Sequence, residues 1–108
     1  MRRTTMLIAA AGAFAMGLAA VEARAGDVAA GEARYRVNCV NCHGKTGKGM
    51  ASFPAIKGRD AGYLASRLTT YRAKEKIGPN SAIMMSLTSE LSDEDIANLA
   101  AYIASAFP

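Results

Sequence analysis

The chain has 108 residues, 51% of them hydrophobic and 20% charged, with a formal net charge of +4. That length holds one domain, and so high an apolar fraction with charges of both signs excludes a disordered chain. Two Cys, one His and no Trp exclude a disulfide-rich scaffold and a four-ligand Cys/His zinc site.

Arg2 and Arg3 precede an uncharged run from Met6 to Val21, and Ala23-Arg24-Ala25 places small residues at both positions of an export cleavage site. The run is rich in Ala and Gly and shorter than the roughly 20 strongly apolar residues that a spanning helix needs. Residues 1–25 are therefore expected to be a cleaved secretory signal peptide and residues 26–108 the mature domain. No Cys lies near the cleavage point, so a lipid anchor has no attachment site, and the shortness of the run makes cleavage rather than membrane anchoring the expectation. The leader removes three basic residues and one acidic residue, which lowers the formal charge to +2. An exported chain with few aromatic residues and no binding motif is not expected to bind nucleic acid.

Asp27 is placed to cap a helix from Val28 to about Asn38, in which Gly31 marks a close backbone approach. From Gly44 to Gly58 the chain is punctuated by Gly44, Gly47, Gly49, Pro54 and Gly58, and no period survives. Asp60 opens a helical stretch whose Leu64, Leu68 and Tyr71 share a stripe. Ile77 to Leu91, opened by Gly78-Pro79-Asn80, reads as a second loop. Ser92 with Asp95 at the third helical position forms a capping box for a final helix, and Ile96, Leu99, Ala100 and Ile103 line one of its faces. No stretch alternates with period two, so the domain is expected to be all-α. A domain this short has a thin stability margin unless something staples it.

Cys39-Val40-Asn41-Cys42-His43 is C-x-x-C-H, the attachment signature of c-type haem. Two thiols three positions apart can each add to one vinyl group on one porphyrin edge, and the adjacent imidazole then reaches the iron. A thiol oxidoreductase site would normally follow a strand, and none is visible. A zinc site would lack a fourth ligand and would strain the adjacent Cys42 and His43. For the sixth iron position the mature chain offers Met50, Met84 and Met85. Met50 follows His43 too closely to reach the opposite haem face. A thioether there raises the reduction potential, which suits electron transfer.

The ordered set Gly31, Tyr35, Cys39-Val40-Asn41-Cys42-His43-Gly44, Phe53-Pro54-Ala55-Ile56-Lys57-Gly58, Tyr63-Leu64, Leu68, Tyr71-Arg72, Met84, Leu91-Ser92-Asp93-Glu94-Asp95-Ile96 and Leu99-Ala100-Ala101-Tyr102-Ile103 resembles the class I c-type cytochromes. It is similar to their small bacterial periplasmic branch, which also occurs as two-haem tandems. The resemblance implies three or more short helices around one covalently attached haem c, with the N- and C-terminal helices crossing. Gly31 and Tyr35 would pack against Leu99 and Tyr102, and the Pro54 carbonyl would accept a hydrogen bond from His43 Nδ1. Iron would be held by His43 and Met84. Met84 stands seven residues before Leu91, as the family pattern requires; in an extended loop Met85 would point the other way. Where the branch has a glycine and then an arginine after Tyr71-Arg72, this chain has Lys74 and Lys76.

The implied function is a periplasmic one-electron carrier, not an enzyme, working between redox protein partners such as a flavoprotein dehydrogenase and a terminal oxidase. One alternative is the haem subunit of a periplasmic dehydrogenase such as a sulfide-oxidising flavocytochrome. Another is a haem sensor or peroxidase-like enzyme, which needs an open sixth site. Lys45, Lys48, Lys57 and Arg59 flank the haem-binding loop and form a basic rim suited to an acidic partner.

Overall fold

In the computed structural model, residues 10–13 and 26–108 are described, and they contain five helices and no β-strand. Apart from residues 10–13, the expected leader over 1–25 lies outside the described residues. α1 (Val28–Asn38) starts where Asp27 accepts a hydrogen bond from the Ala30 N–H at 3.1 Å. α2 (Val40–His43) is a single turn carrying the end of the C-x-x-C-H motif. α3 (Ala61–Arg72) is capped by Asp60, which accepts from the Tyr63 N–H at 2.7 Å. α4 (Ser81–Thr88) and α5 (Asp93–Ala106) follow. Ser92 Oγ accepts from Asp95 N–H and Asp95 Oδ2 accepts from Ser92 N–H, both at 3.0 Å, so two orphan donors at the start of α5 are satisfied reciprocally.

The core lies where α1 crosses α5. Tyr35 and Leu99 are each 1% exposed, and Ile96, Ala100, Ile103 and Phe107 are buried around them. Burying each large apolar side chain contributes about 1.5–3 kcal/mol. The crossing is close because Gly31 has no side chain: a Cβ there would stand 2.0 Å from the Asn98 carbonyl oxygen and 2.8 Å from Tyr102 Cβ. Tyr35 packs against Tyr102 and Phe107, with ring centroids 5.4 Å apart in both pairs. Asp27 N–H donates to Asn98 Oδ1 at 2.8 Å, and Arg34 pairs with Asp95 at 3.1 Å, which ties the two helices at their edges. The expected contact of Gly31 and Tyr35 with the last helix is present.

One expectation from sequence is corrected. The segment from Ile77 to Leu91 is not loop throughout, because Ser81–Thr88 forms α4. Ser81 Oγ accepts from the Ile77 and Gly78 N–H groups at 2.9 and 2.7 Å, folding the Gly-Pro-Asn turn onto the helix start. Met84 and Met85 therefore stand about 100° apart around a helix rather than on opposite sides of an extended chain. The helix escapes detection because it has only 8 residues, lacks a side-chain cap and follows the loop signal Gly78-Pro79-Asn80; its Ile83, Met84 and Leu87 side chains turn toward a cavity.

Just beyond the end of α3, Lys74 adopts φ +62°, the left-handed conformation that favours glycine. Glu75 N–H reaches the Thr70 carbonyl at 3.2 Å and Lys74 N–H the Tyr71 carbonyl at 2.9 Å, the paired bonds of a Schellman ending. The departure noted at Lys74 thus falls on a position that calls for glycine, and the chain keeps the turn. Arg72 fastens the end of α3 to α5, donating to the Leu91 carbonyl at 3.0 Å and pairing with Asp93 at 2.6 Å.

Candidate haem site

The site is built on the junction of α1 and α2. Cys39 ends α1, Cys42 and His43 lie on α2, and no disulfide joins the two cysteines. His43 is 7% exposed, and its Nδ1 lies 2.8 Å from the Pro54 carbonyl oxygen. A carbonyl can only accept, so Nδ1 is the donor, and in the neutral imidazole Nε2 keeps its lone pair for a metal.

The loop after His43 holds that carbonyl in place. Gly49 N–H donates to the His43 carbonyl at 2.9 Å, Met50 and Phe53 form a short antiparallel bridge, and Ile56 N–H returns to the Gly47 carbonyl at 2.8 Å. Gly49 has φ +72°, and a Cβ there would stand 2.8 Å from the Pro54 oxygen, so only glycine leaves this carbonyl undisturbed. Two bonds tie the loop to the core: Tyr35 Oη donates to the Gly44 carbonyl at 2.6 Å, and Gly58 N–H donates to the Phe107 carbonyl at 2.9 Å. Burial pushes the Tyr35 hydroxyl up to about 12, so it stays a donor at physiological pH.

Cys39, Cys42, His43 and Met84 line one cavity of about 410 Å³, whose remaining wall is mostly apolar and drawn from α3, α4, α5 and the loop after His43. Met85 and Met50 are not among its lining residues, and Met50 is 51% exposed. On α4, Thr88 Oγ1 donates to the Met84 carbonyl at 2.8 Å.

The residues fit a haem. The donor set is two thiols, one imidazole with a free lone pair and one thioether, around an apolar space. The wall is also incomplete by itself: Asn38 Oδ1 is buried on it without a hydrogen-bond partner. The thiol oxidoreductase alternative fares worse, because such sites lower a thiol pKa whereas burial pushes the Cys39 thiol up to about 11. Its partial offset by nearby Arg34 does not reverse the direction.

Sequence reasoning named the C-x-x-C-H residues, Pro54 and Met84, and the structure brings all of them to one place. It missed the Tyr63 side chain flanked by Arg59 and Arg67 on the cavity rim, although the spacing of four residues was available as a signal.

An all-helical fold with a C-x-x-C-H turn against an apolar cavity defines a c-type haem protein. The cytochrome c family model matches residues 28–107, and the chain belongs to that family. The chain is 46% identical over 82 residues to cytochrome c-554(548) of Halomonas halodenitrificans, covering 75% of this chain and 98% of that protein. It is 38% identical over 88 residues to cytochrome c-554(547) of Halothiobacillus neapolitanus, covering 74% and 97%. Among solved structures, reduced recombinant cytochrome c4 from Pseudomonas stutzeri aligns with a TM-score of 0.61 at 28% identity, covering 73% of this chain. The chain spans about half of that structure, 49% of its length. The cofactor of this family is covalently attached haem c, and its chemistry is electron transfer. Among the described residues, no helix is long and apolar enough to cross a membrane.

Proposed function

We propose that the chain is a periplasmic one-electron carrier, with thioether bonds at Cys39 and Cys42 and with His43 and Met84 as axial iron ligands. The observation that carries this reading is the single cavity lined by all four side chains. When bound, haem supplies an iron that gains and loses one electron. The protein's own part is positional. Pro54 and Gly49 fix the imidazole plane, Tyr35 anchors the loop start, and α4 presents a thioether donor. His43 and Met84 would hold the iron through an imidazole and a thioether, a donor pair that would favour electron transfer over ligand activation. Export through a cleaved leader accords with thioether formation outside the cytoplasm and rests on the sequence of residues 1–25.

Spectroscopy of methionine variants tests the ligand assignment. Met84→Leu is expected to abolish the weak long-wavelength band of ferric thioether-ligated haem and to lower the reduction potential. Met85→Leu is expected to change neither. The reverse pattern assigns Met85, and a wild-type ferrous protein that readily takes carbon monoxide favours the sensor or peroxidase-like reading instead.

Lys45, Lys48, Lys57 and Arg59 are exposed beside the haem-binding loop, which supports docking to an acidic redox partner. A second reading, service to a dedicated dehydrogenase, draws on a 34% identical stretch of 67 residues in a protein of Stutzerimonas stutzeri named thiosulfate dehydrogenase electron acceptor. That stretch is 31% of the relative's length. Co-purification of native holoprotein with a dehydrogenase separates a subunit from a free shuttle.

A further inference from the structure

Thr88 is a polar residue in an apolar place. It ends α4, is 1% exposed, and lines the cavity together with Met84. Valine has almost the same shape and would fill that wall without burying a hydroxyl, so the hydroxyl needs a reason. Its partners belong to the two methionines themselves: Thr88 Oγ1 donates to the Met84 carbonyl at 2.8 Å and approaches the Met85 carbonyl at 3.4 Å. A hydroxyl has one proton, and the shorter distance assigns it to Met84, four residues back, which is the α-helical register. The longer distance leads to Met85, three residues back, which is the register of a 3₁₀ turn.

The choice between those registers is also a choice between the two thioethers. Seen down the axis from a fixed Thr88, successive residues are about 100° apart in an α-helix and about 120° apart in a 3₁₀-helix. In the α register Met84 stands about 40° to one side of Thr88 and Met85 about 60° to the other. Tightening the turn to 3₁₀ would carry Met84 roughly 80° farther from Thr88 and bring Met85 into line with it. Relative to the direction that Met84 holds in the structure, Met85 would then be about 40° off and Met84 about 80° off. The thioether nearer the iron direction would change.

Thr88 is the fixed end in this comparison. Its carbonyl accepts from the Leu91 N–H at 3.0 Å, and the carbonyl of buried Leu91 accepts from Arg72 at 3.0 Å, which fastens the end of α4 to α3. We propose that the Thr88 hydroxyl selects Met84 over Met85 as the sixth iron ligand by holding the last turn of α4 in the α register. It is a positioning residue, bonded to the ligand's backbone and not to the iron. The inference rests on the axial ligand reading given above and adds the device that chooses between two adjacent thioethers.

The test is nuclear magnetic resonance of reduced holoprotein carrying isotope-labelled methionine methyls. A methyl on an iron-bound sulfur lies over the haem ring, whose ring current moves its proton resonance far upfield of ordinary methionines. The parent should show one such signal, unchanged in Met85→Leu. Absence of any such signal, or its loss in Met85→Leu, overturns the ligand reading itself. In Thr88→Val a second upfield methyl is expected beside the first or in its place, and adding Met85→Leu should remove it. Thr88→Ser keeps the hydroxyl and should show the single parent signal. A Thr88→Val protein with only the parent's signal overturns the proposal. So does one that loses the Met84 signal without gaining another, because the hydroxyl then braces α4 without choosing between ligands. A second upfield signal in Thr88→Ser also overturns it, since the side-chain methyl would then set the register. Should Thr88→Val fail to accumulate, Thr88→Ala is read by the same criteria.

Discussion

Replacing Gly31 by alanine should destabilise the protein although alanine is the better helix former. The added Cβ would stand 2.0 Å from the Asn98 carbonyl oxygen, 2.6 Å from its carbon and 2.8 Å from Tyr102 Cβ. Restoring the 3.4 Å of an ordinary contact requires α1 and α5 to part by about 1.4 Å there. Such overpacking costs about 1–3 kcal/mol. Parting also stretches the Asp27–Asn98 hydrogen bond, worth about 0.5–1.5 kcal/mol, and loosens the Tyr35–Tyr102 contact. Better helix propensity returns about 1 kcal/mol. The net loss is therefore roughly 1–3 kcal/mol, or a fall in Tm of roughly 5–20 °C for a domain of this size. The assay is urea unfolding and thermal melting of holoprotein by far-ultraviolet circular dichroism. Gly62→Ala is the control, because a Cβ there meets nothing nearer than Asp60 Oδ1 at 3.4 Å, and it should leave stability unchanged or slightly raised. A Gly31→Ala protein as stable as its parent would refute the close crossing as the reason for this glycine.

Gly49→Ala should disturb the Pro54 carbonyl and with it the His43 ring, seen as altered imidazole proton shifts and a changed reduction potential in a protein that retains its haem. Lys74→Gly should stabilise by about 1 kcal/mol in urea unfolding, because it relieves a left-handed residue at the end of α3 without touching the Schellman bonds. The Asp95 carboxyl is held below its ordinary value, chiefly by the hydrogen bond from the Ser92 backbone and also by the Ser92 side chain and Arg34. A depressed folded-state value contributes stability at neutral pH that is lost as pH falls through it. Asp95→Ala should therefore be less stable than its parent at pH 7, with a gap that narrows in strong acid; a gap independent of pH would exclude this linkage.

Short-range chemistry was legible in the residues alone. Asp27, Asp60 and Ser92 with Asp95 cap helices through atoms three positions away, so no distant partner has to be known. The C-x-x-C-H signature is likewise local, because both thiols and the imidazole must act on one ring from a single turn. The apolar face of α5 showed through its period, since Ile96, Leu99, Ala100 and Ile103 recur at helical spacing in a helix of 14 residues with a capping box at its start. What depends on partners brought from afar needed the folded chain. α4 was invisible because it has only 8 residues, lacks a side-chain cap and follows Gly78-Pro79-Asn80, so its period is too short to outweigh the loop signals before it. The separation of Met84 from Met85 follows from that helix, whose rotation aims one side chain at the cavity wall and takes the next off it. The pairing of Arg34 with Asp95 and of Arg72 with Asp93 also emerges only in three dimensions, because those carboxylates lie far along the chain and only the fold brings them within reach, whereas Arg36 and Glu32 already stand four residues apart on α1.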